Sequence, residues 1–442
     1  PCTSRINIKN FVCPIWQLEG ETILHDNEDL MLYQKHSKMR VFNLPVFYLP
    51  YIVSPSPLRK KRKSGFLNPT IDFYFIDVKS QQSTSFPYYW AISEDKEMLI
   101  TPIINYGGGV DASQRFTFNY DQLISGGNLS LDLSSETNIE NQDNESWLRD
   151  GSLIFALNQN LNETFNMSIR SSLQSSPTYL RRTDQNNFLN RSNTLSTTFN
   201  LNGYGLREMD DVLNFNISGY QVVRNNEDNK TTPTTLPYVS YKTGTNEYEN
   251  TKYTNHLTFY NIFRETATAD HAKNQQKIHH SLKTDNEFYK YYSKLNFRTE
   301  LHSQYYNTED KRISNDTEHT GTYGRIFPMS GIYIETPLIN TKNNLEINPK
   351  ASFVVNGSQP SSSKVSNEES TNNSYSLFNN SNLNRYTGTD KLDNSKRVNY
   401  GVETKISAFT AELGQSYEFD PKSNFNKDAG LKDHMSDLLG SS

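Results

Sequence analysis

The sequence lacks any long apolar run, and no part of it approaches 18 consecutive apolar residues. A transmembrane helix needs about 20 such residues, so a helical membrane span is excluded. The chain also has little excess charge of one sign, because 44 Lys and Arg stand against 49 Asp and Glu for a formal net charge of −5. This balance gives no reason to expect nucleic-acid binding.

Cysteine is scarce, since Cys2 and Cys13 are the two cysteines in 442 residues. Two thiolates cannot complete a four-thiolate zinc site. We expect both in disulfides, either with each other or with partners outside this chain, rather than as free thiols. Pairing with each other would close a loop that stabilises the fold by about 3 kcal/mol. The chain begins with Pro1 and we expect it to lack its natural N-terminus, so missing targeting information carries no meaning.

Motifs for catalysis and metal binding are missing as well. The sequence offers no convincing Gly-x-Ser-x-Gly turn, His-Glu-x-x-His helix or phosphate-binding loop. His279 and His280 are adjacent, so on a strand they point to opposite faces and cannot share a metal. We therefore predict no catalytic residue, no metal, no cofactor and no enzymatic activity.

The aromatic content is high for so polar a chain. Only 34% of the residues are hydrophobic, yet 12% are aromatic, with 27 Tyr and 24 Phe. Disordered chains are poor in aromatics. The combination suits membrane-spanning strands that turn one face to lipid and the other to water.

Strict alternation of apolar and polar residues recurs from about residue 66 onwards. Segments of 9 to 12 residues, such as those around Leu131, Met167 and Phe215, carry apolar side chains on one face and Asn, Ser, Thr or charged side chains on the other. That length crosses the hydrocarbon layer when the strand is tilted, whereas soluble strands are shorter. The pattern predicts a transmembrane β-barrel with a polar lumen.

Residues 14–53 differ from the rest of the chain. They contain four short apolar strand candidates, which comprise residues 16–24, 31–33, 41–44 and 45–53. Strands so closely spaced predict a small sandwich or jellyroll.

A basic run and two prolines mark the junction between these regions. The run comprises Arg59, Lys60, Lys61, Arg62 and Lys63. It is either a solvated rim or an electrostatic patch that meets phosphate groups. Pro69 lies within the first candidate barrel strand, residues 66–76, and Pro87 opens the second. Proline cannot donate a ladder hydrogen bond, so it either weakens the seam where the first barrel strand meets the last or merely starts a strand.

Several blocks resemble the LPS-assembly outer-membrane protein family LptD, also called OstA or Imp. The most specific blocks are Cys13-Pro-Ile-Trp16, the stretch 41–51, Arg62-Lys-Ser-Gly-Phe-Leu-Asn-Pro69 and the stretch 87–92. Later blocks at 345–351, 384–390 and 397–402 are also similar. The likeness is loose between about 110 and 340.

The resemblance implies an all-β chain that begins with the end of a periplasmic β-jellyroll and continues as a large antiparallel transmembrane β-barrel, cut short at both ends. We place the jellyroll part at 1–58 and the N-terminal two-thirds or so of the barrel at 59–442. The family's lateral gate lies between the first and last barrel strands, and Pro69 and Pro87 match the two family prolines that weaken the gate strands. The candidates to face acyl chains in the jellyroll are Trp16, Leu18, Leu32, Phe42 and Phe47.

The resemblance also implies partners and a location. The expected function is a lipopolysaccharide (LPS) translocon of the bacterial outer membrane, with its N-terminal part in the periplasm. Expected partners are LPS, a lipoprotein plug (LptE-like) and a periplasmic jellyroll bridge (LptA-like) that docks by strand addition. Family disulfides reach cysteines near the C-terminal part of the barrel, which this chain lacks. Cys2 and Cys13 then either pair together or have partners outside this chain.

Two alternatives come from other classes of protein. An outer-membrane receptor or adhesin would bind an external ligand through long Asn-rich loops, and it predicts a plug or passenger domain instead of residues 14–53. An outer-membrane hydrolase needs a Ser/His/Asn-type constellation, and none is discernible.

Overall fold

The computed structural model describes the chain from residue 16 to residue 441, apart from short gaps. The gaps are residues 29, 42–43, 57–61, 77–78, 108–111, 139–149, 184–188, 190–191, 225–228, 315–316, 343, 359–362, 373–375, 378–380, 407–408 and 421–432. Cys2 and Cys13 lie outside the described residues, so the expectations about their disulfides remain untested.

The described residues are almost entirely strands. The strands of the first half are β1 (Trp16–Glu19), β2 (Thr22–Asp26), β3 (Met31–Val41), β4 (Leu44–Pro55), β5 (Gly65–Phe66), β6 (Thr70–Ile76), β7 (Lys79–Ser85), β8 (Tyr88–Ser93), β9 (Lys96–Gly107), β10 (Ser113–Ile124), β11 (Gly127–Asn138), β12 (Asp150–Asn160), β13 (Phe165–Gln174), β14 (Thr194–Tyr204) and β15 (Val212–Val222).

The second half continues in the same way. Its strands are β16 (Thr234–Lys242), β17 (Asn246–Tyr248), β18 (Thr251–Phe263), β19 (Asn274–Lys290), β20 (Ser293–Ser314), β21 (Thr317–Glu335), β22 (Leu338–Asn340), β23 (Leu345–Asn356), β24 (Thr371–Asn372), β25 (Tyr386–Thr387), β26 (Lys396–Ile406), β27 (Phe409–Glu418) and β28 (Leu439–Ser441). The helices are α1 (Tyr179–Thr183) and a 3₁₀ turn (Asn229–Thr231). Within the described part, neither is long and apolar enough to cross a membrane.

The all-β fold class predicted from the sequence is confirmed, and each strand pairing that the structure describes is antiparallel. The alternating segments around Leu131, Met167 and Phe215 are strands β11, β13 and β15. The chain forms two compact units. Unit 1 comprises residues 1–156 and 174–183, and unit 2 comprises residues 157–173 and 184–442. The domain boundary at 58/59 remains a prediction.

The first four strands of unit 1 form a sheet of their own. β3 pairs with β1 and β2 along one edge and with β4 along the other. Four strands were expected in this region, but their division differs. Residues 16–24 separate into two strands because Gly20 and Glu21 interrupt the pairing, and residues 31–41 form one continuous strand.

Strands β9, β10 and β11 follow as an antiparallel meander in unit 1. Each is 12 residues long, as the alternating segments predict. The β10–β11 hairpin turns through Ser125 and Gly126, and Gly126 has φ +76°, a conformation that glycine adopts without penalty.

Unit 2 contains one extended antiparallel sheet and a separate two-stranded sheet of β24 and β25. β14, β15, β16, β18, β19, β20, β21, β23, β26, β27 and β28 pair as successive neighbours. β19, β20 and β21 have 17, 22 and 19 residues, and they pair in register over most of that length. These long strands provide an extended surface on which a buried charged cluster is built.

Candidate functional sites: a proline break and a covered polar face

Pro69 and Pro87 lie in one interruption of the ladder in unit 1. Gly65 and Phe66 of β5 pair with Tyr89 and Tyr88 of β8, and pairing resumes where Thr70 of β6 meets Ser85 of β7. Three residues on one strand therefore oppose two on the other, which is a bulge. A backbone hydrogen bond crosses this break: the N–H of Leu67 donates to the carbonyl oxygen of Pro87 at 2.8 Å.

This geometry corrects the predicted strand 66–76. Pro69 is not inside a continuous strand, because the ladder stops at Phe66 and begins again at Thr70. A proline has no N–H to donate, so Pro69 and Pro87 each remove one possible backbone hydrogen bond from this part of the ladder. The expected position of Pro87 immediately before a strand is confirmed.

Large apolar side chains surround the break and are exposed. Phe66 is 77% exposed and packs edge-on against Tyr88 with ring centroids 5.1 Å apart. Leu67, Phe86 and Trp90 are each more than 40% exposed. A weakened ladder thus lies beside a strongly apolar surface.

Arg62 belongs to the basic run, and its charge is compensated. Its guanidinium donates to the Glu97 carboxylate and the Glu94 carbonyl, and the Tyr89 hydroxyl donates to the same carboxylate at 2.7 Å. Lys63 is exposed, while Arg59, Lys60 and Lys61 lie outside the described residues. Arg62 therefore anchors the junction to the β8–β9 hairpin.

The four-stranded sheet places the predicted lipid-facing residues on two faces. Leu18 and Phe47 both lie opposite Met39, so they share one face, and they are 41% and 46% exposed. Leu32 lies opposite His25 and Ser54. It is an odd number of positions away from Met39 on β3, so its side chain points to the other face of the sheet. Phe42 lies outside the described residues. Trp16 begins β1, but its side chain is not described.

The sheet of unit 2 has a buried polar face and an exposed apolar face. Along β19, Gln275, Lys277 and His279 are at most 1% exposed, whereas Ile278 between them is 49% exposed. The register places further exposed apolar side chains on the same face as Ile278: Leu257, Leu301, Tyr305, Ile326, Ile332, Phe353, Tyr400 and Leu413. This arrangement is the reverse of a soluble protein and matches strands with one face toward lipid.

A long connection between β23 and β26 lies against the polar face. We call residues 363–395 the covering segment; within it, 373–375 and 378–380 are not described. Leu383 and Leu392 of the segment join Phe327, Met329 and Val354 of the strands in a small buried apolar core, together with Tyr333. The polar face, predicted to be uniformly Asn, Ser, Thr or charged, is thus apolar at the place where Leu383 and Leu392 of the segment pack on it.

Lys277 lies at the centre of a buried ionic cluster between the strands and the covering segment. Its ammonium donates to the Asp390 carboxylate at 2.8 Å, to the Thr389 hydroxyl at 2.7 Å and to the Glu369 carboxylate. The side chains of Lys277 and Asp390 are 0% and 1% exposed. Isolated charges are costly to bury, so this pairing couples the segment to β19.

The carboxylate of Asp390 receives further donors. The hydroxyls of Tyr260 and Tyr306 each donate to it at 3.1 Å. The backbone N–H groups of Glu368 and Glu369 donate at 2.8 and 3.1 Å. Arg325 donates to the carbonyls of Thr389 and Asp390 at 2.9 and 2.6 Å.

Ion pairs at two further places restrain the covering segment. Arg264 makes a bidentate pair with Glu368, with distances of 2.5 and 3.1 Å. At the other end, Asp393 accepts from Arg385 at 2.6 Å and from Arg397 of β26 at 3.1 Å. Bidentate charge-assisted pairs fix geometry as well as charge, so each one restrains the segment.

The pairing of Glu368 makes the segment sensitive to acid. Burial alone would raise the pKa of Glu368, but the interactions with His271 and Arg264 outweigh it and hold this pKa below its usual range. A carboxyl with a lowered folded pKa contributes stability above its unfolded pKa, which is about 4.3 for Glu. That stability is lost as the pH falls through the folded pKa.

We therefore expect protease protection of the covering segment to persist down to pH values below about 4.3 and then to disappear. In Arg264→Gln the pKa of Glu368 rises, so protection should be lost at a higher pH than in the parent. Limited proteolysis across a pH series measures both midpoints. If the parent and Arg264→Gln lose protection at the same pH, the pairing of Arg264 with Glu368 does not control the acid sensitivity of the segment.

Three histidines form a row on the polar face next to the cluster. The rings of His279 and His302 stack at 5.3 Å and share a hydrogen bond of 3.0 Å, and His302 contacts Glu300 at 3.2 Å. His256 packs edge-on against His279 at 6.4 Å. Within the described part of the chain, no group of three His, Cys, Asp or Glu side chains is placed to hold a metal ion. As expected, His280 lies on the opposite face and is exposed.

The sequence patterns missed the charged cluster. Lys277 and Asp390 are 113 positions apart, and no spacing rule connects them. The sequence offers one sign that Asp390 matters, because the block 384–390 resembles a block of a known family. That resemblance does not indicate which residues Asp390 contacts. Lys277 itself is one of many polar positions in an alternating strand.

Comparison with known proteins gives a family match. The family model for LPS transport system D (LptD) matches residues 151–442, which is more than half of the chain. The matched region includes most of the stretch 110–340, in which the sequence blocks were only loosely similar.

Individual relatives align over shorter stretches. An LPS-assembly protein LptD from Shewanella sp. (strain ANA-3) is 32% identical over 126 residues, covering 25% of this chain and 16% of that protein. One from Yersinia pestis bv. Antiqua (strain Antiqua) is 30% identical over 119 residues, covering 26% and 14%. The matched stretches thus span well under two thirds of either relative. Among solved structures, CdiB from Acinetobacter baumannii covers 97% of this chain and 66% of that chain at 9% identity, with a TM-score of 0.26 that supports no argument.

Proposed function

The chain belongs to the LPS transport system D family, and on this premise we propose that it acts in the bacterial outer membrane, where it inserts LPS into the outer leaflet. The observation that carries the proposal is the reversed polarity of the unit 2 sheet, with Ile278 exposed between buried Lys277 and His279. An apolar face suits the acyl chains of the bilayer. A polar face suits the sugars and phosphates of LPS.

The lateral exit for LPS is proposed at the proline break. Pro69 and Pro87 leave the ladder of unit 1 with few backbone bonds, and exposed Phe66 and Leu67 adjoin it. A seam with fewer hydrogen bonds opens at lower cost, and the apolar surroundings favour passage of acyl chains. These features support a gate in which the two prolines act together.

The four-stranded sheet is proposed to be the end of a periplasmic jellyroll within residues 1–58. Its face with Leu18 and Phe47 is exposed and apolar, which supports a role in receiving acyl chains. The face with Leu32 would then point away from them. A jellyroll bridge (LptA-like) would dock by strand addition at this domain, and a lipoprotein plug (LptE-like) would complete the translocon.

Site-specific photo-cross-linking in cells tests the path of LPS. A photoreactive residue at Lys283, an exposed position on the polar face, should give LPS adducts in the full-length protein, and these should disappear when LPS synthesis is stopped. The matched control is Ile278 on the apolar face of the same strand, where adducts with resident outer-leaflet LPS should persist. Absence of adducts at Lys283 during active synthesis would refute this path.

A further inference from the structure

The charges that join the covering segment to the sheet are unevenly divided. The sheet supplies the cations Arg264, Lys277, Arg325 and Arg397, and the segment supplies the carboxylates Glu368, Glu369, Asp390 and Asp393. Among the described residues, Arg385 departs from this division. It is a cation of the segment, and it pairs with Asp393 and with Glu418 of β27. With the segment displaced, the polar face would present a row of cations.

The donors around Asp390 form an anion pocket built by the strands. The ammonium of Lys277 and the hydroxyls of Tyr260 and Tyr306 converge on one carboxylate from three adjacent strands. The Lys277 ammonium also lies 5.3 and 5.5 Å from the centroids of the two tyrosine rings, which stabilises a cation at this position. The sheet register places Tyr260, Lys277 and Tyr306 directly beside one another on three adjacent strands.

We propose that this pocket is a binding site for an anionic group of a saccharide, a phosphate or a carboxylate, and that Asp390 of the covering segment occupies it as an internal competitor. The inference rests on the proposed function, since the saccharide would be the sugar portion of LPS. Charge-assisted hydrogen bonds of this kind bind phosphate and carboxylate oxygens alike. Displacing the segment and binding the saccharide are then linked steps, because one donor set serves both ligands.

Gly388 provides a way to misplace the Asp390 carboxylate without removing any charge. Its φ is +79°, and a Cβ at this position would lie 2.5 Å from the carbonyl oxygen of Glu369 and 3.0 Å from the Ser370 hydroxyl. Gly388→Ala therefore disrupts the packing of residues 388–390 against Glu369 and Ser370 within the covering segment, and so moves the Asp390 carboxylate away from its donors. The strand donors remain intact in this variant.

The test measures binding of deacylated LPS core oligosaccharide to the full-length protein in detergent, by calorimetry. Asp390→Asn with Glu369→Gln keeps the side-chain shapes and removes both carboxylates that face Lys277. We expect at least a tenfold lower Kd than in the parent, and a comparable decrease in Gly388→Ala. Adding Lys277→Gln to either background should abolish the gain. The matched control Lys283→Gln changes the same charge on the same strand, where Lys283 pairs with Glu300 at 3.1 Å, and should leave the gain intact.

The outcomes distinguish the anion and the underlying function. If the gain in affinity disappears with dephosphorylated oligosaccharide, the bound anion is a phosphate. If the gain in affinity remains with dephosphorylated oligosaccharide, the bound anion is a sugar carboxylate. Either result supports the pocket. An equal gain with a neutral oligosaccharide, an unchanged Kd in both backgrounds, or a gain that survives Lys277→Gln would overturn it. Gly388→Ala carries the test if the double variant fails to fold. Surface LPS in cells with the parent protein reports the proposed function separately, so a failed binding test leaves that function standing.

Discussion

Replacing both Pro69 and Pro87 with valine is expected to reduce delivery of LPS to the cell surface about 30-fold, because two restored backbone bonds contribute about 2 kcal/mol against opening. Each valine supplies the N–H that proline lacks, and valine also has a high strand propensity. The two prolines share one break in the ladder. A single substitution leaves the other proline without an N–H, so it should reduce LPS delivery less than the double substitution does.

The measurement is surface labelling of LPS on intact cells that carry the variant as the sole copy of the full-length protein. Pro349→Val is the matched control, since Pro349 lies within β23 where pairing with β26 continues on both sides of it. The control should deliver LPS normally. Normal surface LPS in the double variant would show that these prolines do not control the gate.

Replacing Lys277 with methionine should free the covering segment from the sheet. The substitution leaves Asp390 and Glu369 facing a buried site without their cation, and breaking one partner of a buried pair costs about 3–5 kcal/mol. Lys277 has no exposed surface, so water does not compensate for this loss. Hydrogen exchange of residues 381–395 should accelerate strongly, while exchange in the long strands changes little.

A double-mutant cycle isolates the pair. Asp390→Asn in the Lys277→Met background removes the uncompensated charge, so exchange should slow again toward the parent value. Lys283→Met, on the same strand and face, should leave the segment protected. Equal acceleration in Lys283→Met would mean that the polar face as a whole, and not the Lys277 cluster, holds the segment.

The strands could be predicted because their signal is local. The alternation around Met167 and Phe215 reports which side chains share a face, and the structure places strands β13 and β15 there. The same holds for the closely spaced strands near the start of the chain. Period two is a property of neighbouring residues, so it needs no knowledge of the fold.

The sites depend on contacts between distant residues. Pro69 and Pro87 lie in the same break because the register of the two paired strands shifts by one residue there, whereas the sequence shows only two separate prolines. The small core of Leu383 and Leu392 on a polar face, and the pairing of Lys277 with Asp390, result from the position of a long connection. Chain spacing does not encode that position.

Depletion of the full-length protein in its host, followed by surface labelling of LPS, tests the proposed role in LPS insertion most directly. We predict that newly made LPS disappears from the cell surface and accumulates in the periplasm or inner membrane. Normal surface LPS after depletion would contradict this role. The long loops would then have to be tested as the ligand-binding surface of an outer-membrane receptor.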